Sequence, residues 1–129
     1  MKKIVFFGDS ITDFGRNHES DDRDSSLGFG YVRIIADRLV SEKPGEIKIY
    51  NRGTSGDRIV DLYARIKRDC WNLEPDVLSI LIGINDIWHE IDVENGVDLA
   101  RFERIYRMMI EDTLRYNPNS LRILHISHR

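Results

Sequence analysis

The sequence predicts an α/β protein of three layers, with helices on both faces of a parallel sheet. Short apolar runs typical of buried strands alternate along the chain with segments whose apolar residues recur at helical spacing. Polar turns directly follow the first three of these runs. Because crossovers between parallel strands are right-handed, this order of elements allows few topologies. In parallel sheets of this kind, ligands bind beyond the carboxyl ends of the strands.

The first part of the chain is predicted to form two strands around one helix. Residues 4–7 form strand 1, and the polar residues 13–26 form a loop. A helix is predicted over residues 29–41, because one face carries the apolar residues Val32, Ile35, Ala36 and Leu39. Pro44-Gly45 ends this helix, and residues 47–51 form strand 2.

The remaining chain is predicted to add two helices and two strands. The second helix begins near Asp57, a good N-cap residue, and carries Ile59, Leu62, Ile66 and Cys70 at helical spacing. Residues 77–82 are continuously apolar, as in a strand buried on both faces. The third helix spans residues 98–116, and residues 121–126 form strand 4; the inward positions of that helix are predicted to be Leu99, Phe102, Ile105, Tyr106, Met109 and Ile110.

Length, composition and charge restrict the function classes. A chain of 129 residues corresponds to one domain, and 41% hydrophobic with 32% charged residues is ordinary for a globular protein. The net charge of -3 argues against a nucleic-acid partner. No apolar run approaches the roughly 20 residues of a membrane span, and residues 4–7 are too few for a signal peptide. With Cys70 as the only cysteine, we expect a cytoplasmic location.

The turn Gly8-Asp9-Ser10 carries the first chemical signal. A serine on a sharp turn after a buried strand is exposed, and its own backbone N–H faces the same side as its hydroxyl. Such a serine suits nucleophilic attack on a carbonyl carbon. The alternative is that Ser10 only caps a short helix, with Thr12 and Asp13 behind it.

Two further turns supply candidate oxyanion donors. Gly53 has no side chain, so its backbone N–H could approach a ligand closely, although Gly53 could equally be a simple turn glycine. Asn85 lies just beyond strand 3, where its side-chain amide could donate to a developing negative oxygen. The alternative for Asn85 is an Asx-turn that only shapes the loop.

Taken together and in order, the three turns resemble the conserved blocks of the SGNH hydrolases, also called the GDSL esterase/lipase family. The resembling blocks are Gly8 to Asp13, Asn51 to Gly56 and Gly83 to Asp86, and they span most of the chain. The resemblance implies a flavodoxin-like parallel sheet of order 2-1-3-4. It also implies Ser10 as nucleophile, with an oxyanion hole of the Ser10 and Gly53 N–H groups and the Asn85 amide. It implies neither a cofactor nor a metal.

Two segments, 28–32 and 82–88, are similar to the branch that contains bacterial serine acetylxylan esterases. This resemblance implies an acetylated carbohydrate or another small acyl ester as substrate. Asp9 and Trp88 are then the candidate substrate contacts, Trp88 as a sugar-stacking or pocket-wall residue. For Trp88 the alternative is plain packing of the loop after strand 3.

The family's final block, Asp-x-x-His near the C-terminus, supplies a histidine base and the aspartate that orients it. We expect no Asp-x-x-His anywhere after Ser10; the tail from Leu124 to Arg129 contains no Asp, so the domain is expected to be incomplete after strand 4. Substitute bases could be sought among the chain's four histidines, of which His89 is nearest to the expected site; the others are His18, His125 and His128. His18, in an acidic loop, could also suggest a metal, but a solvated loop is the simpler interpretation.

Three hypotheses follow from the sequence. The first is an SGNH-type ester hydrolase that is poorly active as this chain, because the His–Asp pair is missing. The second is a non-catalytic remnant that still binds acylated sugars. The third is a receiver-type module, for which Asp9 and Asp86 are available but a strand-end lysine is not evident. An incomplete sheet would leave strand 4 at an edge, so either self-association through that edge or a marginally stable fold is also expected.

Overall fold

A computed structural model describes residues 1–119 and the backbone of residues 122–127. It contains one parallel sheet of four strands in the order β2-β1-β3-β4. The strands are β1 (Lys2–Gly8), β2 (Ile47–Gly53), β3 (Val77–Ile82) and β4 (Arg122–Ser127). Both the fold class and the predicted strand order are confirmed, and β4 lies at one edge of the described sheet.

In the part of the chain that the structure describes, five α-helices connect the strands, and α3 is followed by a 3₁₀ turn at Trp71–Leu73. Their bounds are α1 (Ser10–Asp13), α2 (Tyr31–Glu42), α3 (Ile59–Asp69), α4 (Ile84–Val93) and α5 (Leu99–Tyr116). In the described residues, no helix combines the length and the apolar character needed to cross a membrane.

Two apolar clusters lie on opposite faces of the sheet. On one face, alternate residues of β1 and β3 pack against α3 and α5, in a cluster that includes Val5, Phe7, Leu78, Ile80, Ile82, Leu62, Ile66, Phe102 and Met109. On the other face, Phe6 and Ile49 pack against Val32 and Ala36 of α2. Successive side chains of a strand point to opposite faces, so this alternation produces the three-layer arrangement.

Three local predictions were wrong. Residues 83–86 were expected to be a polar turn, but α4 begins at Ile84, directly after Gly83 at φ 133°. Asp57 does not cap α3, because Arg58 is the N-cap residue and Asp61 accepts its backbone N–H. Leu99 is 65% exposed rather than inward, since α5 turns its Phe102 and Met109 face to the core.

Candidate functional site

The segments that follow β1, β2 and β3 meet at the end of the sheet where these three strands terminate. Gly8 pairs in register with Gly53 on one side and with Leu81 on the other. The Thr54 N–H donates to the Gly8 carbonyl at 3.0 Å, which ties the second turn to the first. The predicted site residues Ser10, Gly53 and Asn85 therefore lie at or just beyond the carboxyl ends of neighbouring strands, where ligands bind in such sheets.

Ser10 is exposed and is the first residue of α1. The helix is capped by Asp9, whose carboxylate accepts the Ile11 N–H at 3.0 Å, so the alternative that Ser10 is only a cap is wrong. Among the described residues, the Ser10 hydroxyl has no hydrogen-bond partner. The Ser10 backbone N–H lies in the first turn of α1, where backbone N–H groups have no acceptor within the helix. Asp9 is fully buried, so its carboxylate serves the turn rather than an open substrate surface.

Gly53 lies where only glycine fits. A Cβ atom there would stand 2.2 Å from the Asp13 nitrogen and 2.7 Å from the Thr12 carbonyl carbon. The Gly53 N–H donates to the Asn51 side chain at 2.9 Å, and the Asn51 amide donates to the carbonyls of Thr12 and Leu27 at 2.8 and 3.0 Å. A substrate oxyanion at Gly53 would therefore share this N–H with Asn51. That Asn51 would hold the Gly53 N–H and tie β2 to α1 was not predicted from the sequence.

Asn85 lies in the first turn of α4 and is partly buried. Its side-chain nitrogen donates to the Asp57 carbonyl at 3.1 Å. An amide nitrogen carries two hydrogens, so this bond orients the group and leaves the second hydrogen available to another acceptor. Burial raises the pKa of the Asp57 carboxyl above its usual value, although Arg65 donates a hydrogen bond to it.

Trp88, also on α4, is 50% exposed, so a large part of its ring is accessible to a ligand. Asp86 and His89 in the same helix have the Asp-x-x-His spacing, so the expectation that no such motif follows Ser10 was wrong, although the pair lies in α4 and not near the C-terminus. The Asp86 carboxylate is buried and accepts the Ile59 N–H at 3.1 Å. Burial favours a higher pKa for the Asp61 carboxyl, but hydrogen bonds and charge from Arg58 outweigh it and hold that pKa below its usual value, with a smaller contribution from the nearby His89.

His18 does not lie in a merely solvated loop. Its Nε2 is 3.0 Å from the Asp13 carboxylate, which also accepts the Ser55 N–H at 3.1 Å and the Ser55 hydroxyl at 3.2 Å. The predicted alternative base His18 is therefore bound to Asp13. The side chain of His125 and the whole of His128 lie outside the described residues.

Comparisons with known proteins agree with this arrangement. Residues 6–127 match the GDSL-like Lipase/Acylhydrolase family. An acetylxylan esterase from Geobacillus stearothermophilus is 38% identical over 118 residues, covering 87% of this chain and 54% of that protein. A crystal structure of a candidate GDSL-like lipase from Parabacteroides merdae is 37% identical with a TM-score of 0.88, covering 98% of this chain and 58% of that one.

The crystal structure of Axe2, an acetylxylan esterase from Geobacillus stearothermophilus, is 35% identical with a TM-score of 0.87. The alignment covers 96% of this chain and 58% of Axe2, so the chain spans little more than half the length of these relatives. Solved catalytic mutants of Axe2 replace a serine, an aspartate or a histidine by alanine. The match over nearly the whole chain, on a shared fold, shows that this chain belongs to the GDSL-like lipase/acylhydrolase family.

Proposed function

We propose that the chain carries the nucleophile and the oxyanion hole of a serine ester hydrolase. The observation that supports this most directly is the exposed Ser10 hydroxyl, without a hydrogen-bond partner among the described residues, on the turn between those of Gly53 and Asn85. The Ser10 and Gly53 N–H groups and the Asn85 amide are the proposed oxyanion donors. Donors fixed before reaction stabilise developing charge without reorganising.

In the proposed reaction, Ser10 Oγ attacks the carbonyl carbon of an acyl ester, and the carbonyl oxygen becomes the oxyanion. The C–O bond to the alcohol then breaks, the alcohol leaves with a proton, and an acyl-serine remains. Water attacks the acyl-serine, releases the acid and returns the proton to Ser10. Both halves need a base that accepts a proton from the attacking oxygen.

We propose that residues 1–129 alone perform this reaction slowly. His18 is bound to Asp13, and the Asp86 carboxylate is bound to the Ile59 N–H rather than presented at the Ser10 turn. Losing a triad costs on the order of 10⁶ in turnover, or about 8 kcal/mol of barrier. An oxyanion hole and binding alone still leave roughly 10³–10⁴ over the reaction in water.

The proposed substrates are acetylated xylo-oligosaccharides or other small acyl esters, as for the acetylxylan esterase relatives. The half-exposed Trp88 ring offers a flat apolar face that could stack on a sugar. Replacing Trp88 by alanine is expected to raise the Kd for acetylated xylo-oligosaccharide several-fold and to leave the reaction with p-nitrophenyl acetate nearly unchanged. Equal affinities of both proteins for the oligosaccharide would contradict this assignment.

Acylation by p-nitrophenyl acetate tests the proposed nucleophile. Release of p-nitrophenol and intact-protein mass are compared for the wild type, Ser10→Ala and Ser41→Ala. Ser41 is a matched control, because it is an exposed serine in α2 whose hydroxyl only donates to the Arg38 carbonyl. We expect acetylation of the wild type and of Ser41→Ala, and none of Ser10→Ala. Equal background rates for all three overturn catalysis, and saturable sugar binding would then favour the non-catalytic remnant.

Three further predictions stay open. We infer that the chain forms one domain and acts in a reducing, cytoplasmic compartment. Self-association through β4 is proposed because β4 is the edge strand of the described sheet, and edge strands present unpaired backbone groups. A concentration-independent monomer in size-exclusion chromatography would contradict self-association.

A further inference from the structure

We propose that Arg65 is a positioning residue for the candidate oxyanion hole. It fixes the three segments that carry the proposed donors Ser10, Gly53 and Asn85. The inference rests on the proposed function, because it assigns Arg65 a task in that same site. Arg65 lies within α3, and its guanidinium donates to the ends of β1 and β2 and to Asp57, the residue that accepts from the Asn85 side chain.

The guanidinium binds the ends of both β1 and β2. Arg65 Nη2 donates to the Gly8 carbonyl at 3.1 Å, two residues before Ser10. Arg65 Nη1 donates to the Arg52 carbonyl at 2.9 Å, one residue before Gly53. The planar fork of an arginine lets one side chain satisfy carbonyls from two strands at once.

The bond to Arg52 fixes the direction of a proposed oxyanion donor. The Arg52 carbonyl and the Gly53 N–H belong to the same planar peptide unit. In a trans peptide these groups point to opposite sides, so holding the carbonyl sets where the N–H points. Asn51 accepts that N–H on the other side at 2.9 Å, so the peptide unit is held at both ends.

The third turn is held through Asp57. Arg65 Nε donates to the Asp57 carboxylate at 2.8 Å, and the Asp57 backbone carbonyl accepts from the Asn85 side chain at 3.1 Å. Movement of Asp57 would therefore move the acceptor that orients the Asn85 amide. In this way Arg65 reaches the Asn85 donor through one intervening residue.

The guanidinium itself is rigidly placed. The Arg65 side chain is only 11% exposed, forms ion pairs with Asp57 at 2.8 Å and Asp69 at 2.9 Å, and lies 4.5 Å from the centre of the Phe7 ring. Arginine suits this environment because its plane stacks on an aromatic ring while its edges donate. A lysine would keep the charge but could not form these bonds together.

The test compares Arg65→Lys and Arg65→Met with Arg68→Lys and Arg68→Met. Arg68 is a matched control on the same helix, because it also binds the Asp69 carboxylate, at 2.7 Å, but is 77% exposed and touches none of the three turns. Circular dichroism and thermal unfolding establish which variants fold. The readouts are the acetylation rate of Ser10 by p-nitrophenyl acetate at several concentrations and the NMR signals of the Ser10 and Gly53 N–H groups and the Asn85 amide.

We expect folded Arg65→Lys to acetylate about 10–100-fold more slowly at saturation, because small misplacement of reacting groups and loss of oxyanion contacts have effects of this size. The concentration for half-maximal rate should change little, and the three NMR signals should shift. Both Arg68 variants should acetylate within about twofold of the wild type. A rate and spectrum unchanged in Arg65→Lys overturn the proposal.

The remaining outcomes separate this inference from the proposed function. If the wild type shows no Ser10-dependent acetylation, the proposed function fails, and the NMR comparison alone decides: shifted signals support Arg65 as the residue that orients these groups, and unshifted signals overturn it. If both Arg65 variants fail to fold while the Arg68 variants fold, Arg65 is a structural residue and the positioning role is rejected.

Discussion

The carboxylate of Asp86 accepts the backbone N–H of Ile59, with its two oxygens at 3.1 and 3.3 Å from that nitrogen. Asp86 lies in the first turn of α4, and Ile59 is the first residue of α3. The start of α4 therefore supplies an anionic partner to the N-terminus of α3. Both residues are fully buried, which strengthens the interaction between the carboxylate and the helix dipole.

Replacing Asp86 by alanine is expected to lower the free energy of unfolding by about 2–3 kcal/mol, because a buried N–H loses its charged acceptor. Urea denaturation of the wild type, Asp86→Ala and Asp86→Asn measures this. Asp86→Asn keeps an acceptor oxygen and should lose less. An Asp86→Ala protein as stable as the wild type would show that the bond to Ile59 contributes nothing.

Replacing Gly53 by alanine is expected to disturb α1 and the Ser10 turn, since the added methyl would overlap the Asp13 nitrogen and the Thr12 carbonyl carbon. Overpacking of this kind costs about 1–3 kcal/mol. Gly45→Ala is the control, because a Cβ at Gly45 meets no atom within 4 Å and only its φ of 75° is unfavourable. Only Gly53→Ala should shift the Ser10 NMR signal. A shift of equal size in both variants contradicts the prediction.

The thiol of Cys70 is expected to be unreactive in the native protein. Cys70 is fully buried, and burial raises the pKa of its thiol well above the usual value, so the thiolate is scarce at neutral pH. A disulfide reagent such as DTNB at pH 8 should react slowly with the folded chain and at once in concentrated guanidinium chloride. Rapid stoichiometric reaction of the native protein is the contrary result.

Asp98 should make the stability of the chain depend on pH in the acid range. Hydrogen bonds from the Arg101 side chain and backbone lower the pKa of Asp98 from 3.8 to about 2. A carboxyl whose pKa is depressed by folding stabilises the fold above the unfolded pKa, and this contribution is lost as pH falls through the folded pKa.

Asp98→Asn keeps the N-cap but not the charge, so its Tm should lie below that of the wild type above about pH 4, in line with the unfolded pKa. The gap should close toward pH 2, where Asp98 becomes protonated. Glu103→Gln, which removes another exposed carboxylate of α5, is the control for general charge effects. A gap that stays constant down to pH 2 would refute this assignment.

Sequence patterns were sufficient to predict the layers of the fold and, with the family resemblance, the order of the strands. The runs in β1 and β3 are apolar because both faces are covered, and their lengths suit strands rather than helices. The helix α4 was missed because its first residues read as a polar turn, and only one of its residues, Asp86, is buried. Without a buried apolar stripe, the periodicity that identified α5 gives little signal.

The supports of the site could not be predicted from residue types. In the sequence, Arg65 cannot be told from an arginine on the exposed face of a helix. Only the packing of α3 against the strand ends brings its guanidinium to the carbonyls of Gly8 and Arg52. The bond between His18 and Asp13 also depends on the path of a polar loop that has no periodic pattern. The positions of Ser10, Gly53 and Asn85 could be predicted because each lies at or just beyond the end of a strand, although Asn85 lies in a helix rather than in a turn.

The parallel pairing of β1 has a consequence for how the nucleophile turn forms. The register joins Lys2 to Ile47 and Ile4 to Val77, so β1, the strand that precedes Ser10, finds both neighbours only far downstream in the chain. Such high contact order slows folding, because long loops must close before native contacts form. During synthesis on the ribosome, the Ser10 turn would therefore reach its final shape only after β3 has emerged, and until then the chain would expose the apolar β1 to chaperones.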